Sequence, residues 1–158
     1  MAETSVEIPT FVVPLQRSNV LIPGAAVAEI IPYEPLQRVQ DTPDWFLGFL
    51  GWRGVQVPVV SFEMLTVGRG SFSLVSVSSA SLVIMKALAD AEDLKFFAIV
   101  AQALPRLVQI EPDALVEIDE APNQAELQRA KFGAEIVSIP DLDHIEQLIL
   151  SVISTADS

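Results

Sequence analysis

The single histidine, His144, is the residue best suited to acid–base or metal chemistry in this sequence. It lies close to Asp141 and Asp143, and a histidine with two carboxylates could hold a metal ion or transfer protons. However, this spacing places all three residues at the start of a predicted helix, where acidic side chains usually face solvent and favour the positive end of the helix. We therefore assign them no catalytic or metal-binding role.

The sequence lacks the other common catalytic motifs. It contains no cysteine, which excludes a thiolate nucleophile and a cysteine-ligated metal. Serine is frequent, but no G-x-S-x-G segment occurs, and only one histidine is present to act as the base of a hydrolase triad. The glycine-containing segment 68–71 lacks the lysine of a phosphate-binding loop. The sequence thus predicts a protein that is not an enzyme and that uses no cofactor.

The charge of the chain argues against nucleic acid as a partner. Among 158 residues, 21 Asp and Glu stand against 9 Lys and Arg, which gives a formal net charge of −12. A protein that binds nucleic acid needs clustered Lys and Arg to neutralise phosphates, and the sequence has no such cluster. Residues 80–158 carry 14 of the acidic and 5 of the basic residues, so the second half of the chain is the acidic half.

The overall composition is that of a folded domain, since 51% of the residues are hydrophobic and only 19% are charged. The acidic first residues lack the basic and apolar regions of a signal peptide. No uncharged apolar run approaches the roughly 20 residues that span a bilayer. We therefore expect a cytoplasmic protein without direct membrane insertion.

Short runs rich in Val and Ile, separated by Pro, Gly and Asn, predict many short strands. A helical turn at residues 25–28 is an alternative to the start of the third strand. The predicted strands cover residues 11–15, 20–22, 27–31, 55–60, 82–85, 96–103, 107–110, 116–118 and 136–139.

Four segments have the features of helices, and two of them are described first. Thr42, Pro43 and Asp44 form a typical helix start, so a short helix that ends at Gly48 or Gly51 is predicted after them. A second short helix is predicted at residues 126–131.

The other two helix starts resemble each other. Ser61 and Asp141 each follow a predicted strand, and each is a residue type that caps helices. The first helix is short (residues 62–65), whereas the second is the clearest helix of the chain, because its apolar residues recur on one face. That face consists of Leu142, Ile145, Leu148, Ile149 and Val152. The similarity of the two segments suggests two similar lobes.

One segment stands out as a candidate binding site. Residues 48–60 contain three glycines at a spacing of three, together with Trp52 and Arg53. An arginine between Trp52 and Gly54 on a turn can stack on the ring and donate hydrogen bonds in a fixed fork. Either a structural turn or an anchor at a binding surface would explain this pattern.

Residues 48–65 also resemble the signature G-x-x-N-L-R-G-x-x-x-P-V-[IV]-D-L of CheW-like domains, the coupling adaptors of bacterial chemosensory arrays. Gly48, Arg53, Gly54 and Pro58 carry this resemblance. Segments 25–31, 42–45 and 139–142 resemble further elements of the family, so the resemblance extends over about residues 10–153. The sequence departs from the signature at residues 51–52, where Gly-Trp replaces Asn-Leu, and at Ser61, which replaces Asp.

The resemblance implies a CheW-like fold. Two SH3-like, five-stranded β-barrel subdomains would surround a shared hydrophobic core, with short helices and a C-terminal helix. They would form a single domain over residues 10–153, with flexible ends at residues 1–9 and 154–158.

The resemblance also implies a function. CheW-like proteins are non-catalytic adaptors that couple methyl-accepting chemoreceptors to a CheA-type histidine kinase. Residues 22–31 are similar to the accessory CheW-like proteins of type IV pilus systems, which implies a role in twitching motility.

The resemblance implies a set of partner-binding residues. The signature turn is associated with receptor contact, the valines after it would line or support the groove between the barrels, and the element around residue 29 lies in the lobe associated with kinase contact. The implied residues are Arg53, Gly54, Val55, Val57, Pro58, Val59 and Glu29. Because the second half of the chain is acidic, we expect salt-sensitive contacts there, and salt-tolerant contacts at the apolar, nearly neutral surface around Arg53.

Two alternatives remain. The chain could be a β-barrel whose acidic second half binds a small molecule or a cation. It could also be a divergent CheW-like scaffold that no longer binds receptors, as the departures from the signature would allow.

Overall fold

Short runs of apolar residues place more than half of the described residues in strands. The structure is a computed structural model, and it describes residues 7–15, 19–67, 79–91, 94–118 and 125–156. These residues include two α-helices, α1 (Phe62–Val67) and α2 (Leu142–Ala156), and two 3-10 turns, Gly24–Ala26 and Pro112–Ala114. The strands are β1 (Ile8–Pro14), β2 (Asn19–Pro23), β3 (Val27–Pro32), β4 (Phe46–Trp52), β5 (Val55–Val60), β6 (Ser81–Ala91), β7 (Leu94–Ala101), β8 (Arg106–Ile110), β9 (Leu115–Glu117), β10 (Glu126–Phe132) and β11 (Glu135–Pro140). The prediction of a mainly β protein with short helices and a C-terminal helix is confirmed.

The strands form two sheets, with the orders β8-β1-β2-β11-β10-β9 and β3-β6-β7-β5-β4. In the six-stranded sheet, the predicted β1–β2 hairpin is present, and β11 pairs with β2 in parallel. In the five-stranded sheet, β5 pairs in parallel with β7. The six-stranded sheet has one strand more than expected because the short β9 pairs with the edge of β10.

The largest hydrophobic cluster is shared by the two sheets. It joins Val13 and Ile22 of the six-stranded sheet to Met85 and Phe97 of the five-stranded sheet, and α2 contributes Ile149. Each such side chain contributes about 1.5–3 kcal/mol when it is fully buried. Two smaller clusters each belong to one sheet. The shared core that the family resemblance implied is therefore present.

The predictions for residues 82–85 and for residues 24–31 agree with the observed elements. The continuous apolar run at 82–85 lies within β6, and all four side chains have 0% exposure, as predicted for a strand that is buried on both faces. At residues 24–31, both alternatives occur in sequence, because the 3-10 turn Gly24–Ala26 leads directly into β3.

The helix predicted after Thr42 and Pro43 is wrong. Residues 44–45 form only a turn, and β4 begins at Phe46. Along β4, buried side chains alternate with half-buried ones, and the strand pairs with β5. Burial of Phe46, Gly48 and Leu50 in this pairing outweighs the local signal for a helix start.

The helix predicted at residues 126–131 is also wrong, because this segment is β10. Its residues favour helix locally, but β10 is paired with β11 on one side and β9 on the other. In addition, Glu126 is buried and accepts a hydrogen bond from the hydroxyl of Ser138 on β11. Sheet pairing on both sides therefore overrides the helix propensity.

Ordered elements reach past both predicted limits of the domain at residues 10 and 153, since β1 begins at Ile8 and α2 ends at Ala156. The remaining residues of the predicted flexible ends, 1–6 and 157–158, lie outside the described residues. Neither helix in the described part of the chain is long and apolar enough to cross a membrane.

The similarity between the two helix starts reflects a repeated unit of two strands and a helix. The first unit, β4–β5–α1, is matched by β10–β11–α2: residue 46 corresponds to 126 and residue 60 to 140, so the offset is 80 residues. In both units, the N–H of the capping residue donates to a carbonyl at the base of the hairpin. Ser61 donates to Trp45 at 2.9 Å, and Asp141 donates to Ala125 at 2.8 Å.

The two helix caps are confirmed. The Ser61 hydroxyl accepts the N–H of Met64 at 3.2 Å, and the Asp141 carboxylate accepts the N–H of His144 at 3.1 Å. The predicted apolar face of α2 lies in the shared core, with Ile145 and Ile149 buried.

We expect Asp141→Ala to lower the free energy of unfolding by about 1 kcal/mol, because the N–H of His144 loses its acceptor. Urea unfolding measures this change. Asp141→Asn is the matched control, since asparagine caps helices as well as aspartate does and should leave stability within about 0.5 kcal/mol of wild type. Equal stability of the alanine and asparagine variants would show that this cap contributes nothing.

Candidate functional site

The signature turn connects β4 and β5. Trp52 pairs with Val55, so the turn itself consists of the two residues Arg53 and Gly54. Their φ angles are 49° and 78°, and positive values at both positions give the turn a twist that matches the flanking strands. Gly54 adopts this conformation without strain, whereas an arginine rarely does. The turn exposes both residues at the tip of the hairpin.

The Arg53 side chain is held by two neighbours although it is largely exposed. Its Nη2 atom donates to Oε1 of Glu29 at 3.1 Å, and its guanidinium carbon lies 5.0 Å from the centre of the Trp52 ring. The Arg53 side chain is 70% exposed and that of Glu29 is 36% exposed. An exposed ion pair of this kind contributes little to stability, so its main effect is to orient the guanidinium.

Trp52 makes a second contact with the same carboxylate. Its indole Nε1 donates to Oε1 of Glu29 at 2.8 Å. The Trp52 ring also meets the Phe96 ring in an edge-to-face arrangement, with 4.9 Å between the ring centres. The indole is therefore fixed by a hydrogen bond and by an aromatic contact, and Arg53 rests on a rigid support.

The site also lies where the five-stranded sheet closes on itself. Glu29 belongs to β3 and Trp52 to β4, and these strands are the two edges of the sheet. Their hydrogen bond therefore joins the two edges. A second link lies nearby, where Gln37, in the connection after β3, pairs with Phe49 of β4 through hydrogen bonds of 2.8 and 2.9 Å. We call the line along which these two links occur the seam.

The predicted site residues divide into an exposed group and a buried group. The structure brings Arg53, Gly54, Val55 and Glu29 together at the hairpin tip, where Val55 is 39% exposed. The buried group consists of Val57, Pro58 and Val59, and the two valines lie inside the five-stranded sheet. These three side chains are not accessible at the surface of the structure.

The family resemblance associates Arg53 with receptor contact and the element around Glu29 with kinase contact. The structure places the two side chains in one ion pair. Within this pair, the positive charge of Arg53 is balanced by the negative charge of Glu29. Phe96 is the site residue that sequence reasoning missed. It lies on β7, far from the signature in the sequence, and no local pattern connects it to Trp52.

Two of the three residues first considered for chemistry have a structural role. The backbone N–H of His144 donates to the cap Asp141, and Asp143 is exposed on the first turn of α2. Within the residues that the structure describes, no three side chains among His, Asp and Glu are grouped so that they could hold a metal ion.

Comparison with known proteins gives a consistent result. The family model for the CheW-like domain matches residues 9–148. The fold is similar to that of the scaffolding protein TtCheW from Thermoanaerobacter tengcongensis, with a TM-score of 0.71 and 14% sequence identity, over 90% of this chain and 89% of that chain. No curated protein sequence matches the chain significantly.

Proposed function

The chain belongs to the CheW-like domain family, and on this basis we propose that it is a non-catalytic adaptor that couples methyl-accepting chemoreceptors to a CheA-type histidine kinase. Membership of a family of scaffold proteins supports an adaptor role in chemotaxis signalling. The receptor and the kinase as partners are our proposal.

The observation that carries this proposal is the exposed, pre-positioned Arg53 at the tip of the β4–β5 hairpin. Arginine and tryptophan are the residue types most often found at the energetic centres of protein interfaces. Here Glu29 and Trp52 hold the guanidinium, so little side-chain freedom is lost when a partner binds. A surface of this kind suits recognition of another protein.

The distribution of charge along the chain supports a second, different contact. The second half of the chain carries most of the negative charge, and an acidic surface attracts partners of opposite charge in a salt-dependent manner. We assign receptor contact to the tip formed by Arg53, Gly54 and Val55, and kinase contact to a separate surface. One adaptor could then hold both partners at the same time.

Calorimetric titration of the purified chain tests this proposal. The titrants are a receptor fragment that contains the signalling tip and the regulatory domain of a CheA-type kinase. We expect both to bind with dissociation constants of about 1–100 μM, a range typical of small transient interfaces. Binding of neither partner would contradict the adaptor role. Binding of the kinase alone would identify a scaffold that has lost receptor contact.

We further propose that the chain acts in a type IV pilus pathway. The support is the similarity of residues 22–31 to accessory CheW-like proteins of such systems. Deletion of the gene in the host bacterium should reduce twitching motility and leave flagellar chemotaxis intact. Loss of flagellar chemotaxis with normal twitching would contradict this assignment.

A further inference from the structure

Trp52 stands where the CheW-like signature has leucine, and the structure shows what the tryptophan adds. A leucine has neither an N–H donor nor an aromatic face. The indole of Trp52 supplies both, through its hydrogen bond to Glu29 and its contact with the guanidinium of Arg53. This departure from the signature therefore changes the surroundings of the arginine.

The hydrogen bond between Trp52 and Glu29 crosses the seam of the five-stranded sheet. Glu29 belongs to one edge strand and Trp52 to the other, and the same carboxylate oxygen accepts from Nε1 of Trp52 and Nη2 of Arg53. The indole thus fixes the oxygen on which the guanidinium depends. Since Phe96 also packs against the ring, the ring has little freedom to turn away.

The charge at the hairpin tip also limits the chemistry of its partner. Glu29 faces Arg53 at 3.1 Å, so a carboxylate that approached the guanidinium would also meet the negative charge of Glu29. A guanidinium has five N–H donors, and an arginine that is 70% exposed has donors left for a further acceptor. A carbonyl or amide oxygen can accept from these donors without a second negative charge at the site.

We propose that Trp52 is a positioning residue that fixes Arg53 as a donor to an uncharged oxygen acceptor, a backbone carbonyl or a side-chain amide, on the chemoreceptor. This inference rests on the proposed function only for the identity of the partner. The positioning role is a property of the chain alone and can be measured without a partner.

The first experiment uses the chain alone. In wild type, the Arg53 Nε–H group should give a heteronuclear NOE typical of an ordered side chain. In Trp52→Phe, which keeps a ring but lacks the donor, the NOE should fall to the value of the exposed Arg106. Trp45→Phe removes the other tryptophan and should leave the signal of Arg53 unchanged. An Arg53 signal that is equally ordered in wild type and Trp52→Phe would overturn the positioning role.

The second experiment measures binding of the receptor signalling-tip fragment. Trp52→Phe should weaken binding about tenfold, whereas in an Arg53→Ala background the same change should cost less than about twofold, since Trp52 acts through Arg53. Trp45→Phe should have no effect. Equal losses in both backgrounds would show that Trp52 does not act through Arg53 and would overturn the proposal.

The third experiment tests the chemistry of the acceptor. Glu29→Gln keeps an oxygen that can accept from Trp52 and Arg53, but it removes the negative charge. For an uncharged acceptor, binding should change less than about threefold, and it should depend little on salt between about 50 and 500 mM. Binding that becomes about tenfold tighter at low salt would identify a carboxylate acceptor and would overturn this part of the proposal.

The binding and NOE measurements test the identity of the partner and the role of Trp52 separately. If the wild-type chain bound no receptor fragment, the assignment of the partner would fail, and with it the uncharged acceptor on the receptor. The NOE of Arg53 would still decide whether Trp52 positions the arginine.

Discussion

Arg53→Glu is expected to weaken binding of the receptor signalling-tip fragment by at least about 30-fold, the loss of roughly 2 kcal/mol that marks an interface hot spot. The change removes the exposed donor at the hairpin tip. It also places a second carboxylate close to Glu29, where the ion pair of 3.1 Å is lost. Titration calorimetry with wild type and variant measures the effect.

Arg106→Glu is the matched control for this substitution. Arg106 is also an exposed arginine, with 60% of its side chain accessible, and it also pairs with a glutamate, Glu135, at 3.5 Å. It belongs to the six-stranded sheet rather than to the hairpin tip. We expect receptor binding of Arg106→Glu to stay within about twofold of wild type. Equal losses for the two variants would show a general effect of charge and would contradict the assignment of the site.

Arg53→Glu should leave binding of the kinase regulatory domain unchanged, because we assign that contact to another surface. The variant should also fold normally, since an exposed side chain at a turn contributes little to stability. A parallel loss of kinase and receptor binding, without loss of thermal stability, would mean that one surface serves both partners.

Gly48→Ala is expected to lower the free energy of unfolding by about 3 kcal/mol or more, because the backbone at this position admits only glycine. Gly48 has a φ of +140°. A Cβ atom here would lie 2.5 Å from the carbonyl oxygen of Gln37 and 3.0 Å from its carbonyl carbon. Both contacts are with backbone atoms, so a side-chain rotation cannot relieve them.

The clash would affect the seam of the five-stranded sheet. Gln37 pairs with Phe49, next to Gly48, and these hydrogen bonds attach the connection after β3 to β4. Urea unfolding should therefore show a large decrease in stability, and the hairpin tip should lose part of its support.

Gly51→Ala is the matched control in the same strand. A Cβ atom at Gly51 would meet no atom within 4 Å, and its φ lies outside the range that favours glycine. We expect its stability to remain within about 0.5 kcal/mol of wild type. If Gly48→Ala were as stable as Gly51→Ala, the close approach of β4 to Gln37 would not constrain the fold.

Much of the strand pattern could be predicted because it depends on local features. The run at residues 82–85 is apolar at every position, and the caps Ser61 and Asp141 follow strands directly. The two helices predicted wrongly, at 42–51 and 126–131, have local signals for a helix, but pairing with distant strands decides their structure. A single sequence contains no direct information on such pairing.

In the candidate site too, local features could be predicted and contacts between distant residues could not. Arg53 and Gly54 could be identified from the residue types of a turn and from the family signature. The contact of Arg53 with Glu29 could not be predicted, since the two residues are 24 positions apart and meet only because the edges of the sheet come together. The contact of Phe96 with Trp52 depends on the same closure.

Control of the kinase in a reconstituted array is a direct test of the adaptor role. Receptor-containing membranes and a CheA-type kinase are mixed with and without the chain, and autophosphorylation of the kinase is measured with and without an attractant. We expect receptors to control the kinase only when the wild-type chain is present, and we expect Arg53→Glu to fail to restore this control. Kinase activity that does not respond to the receptors in the presence of the wild-type chain would contradict the adaptor role.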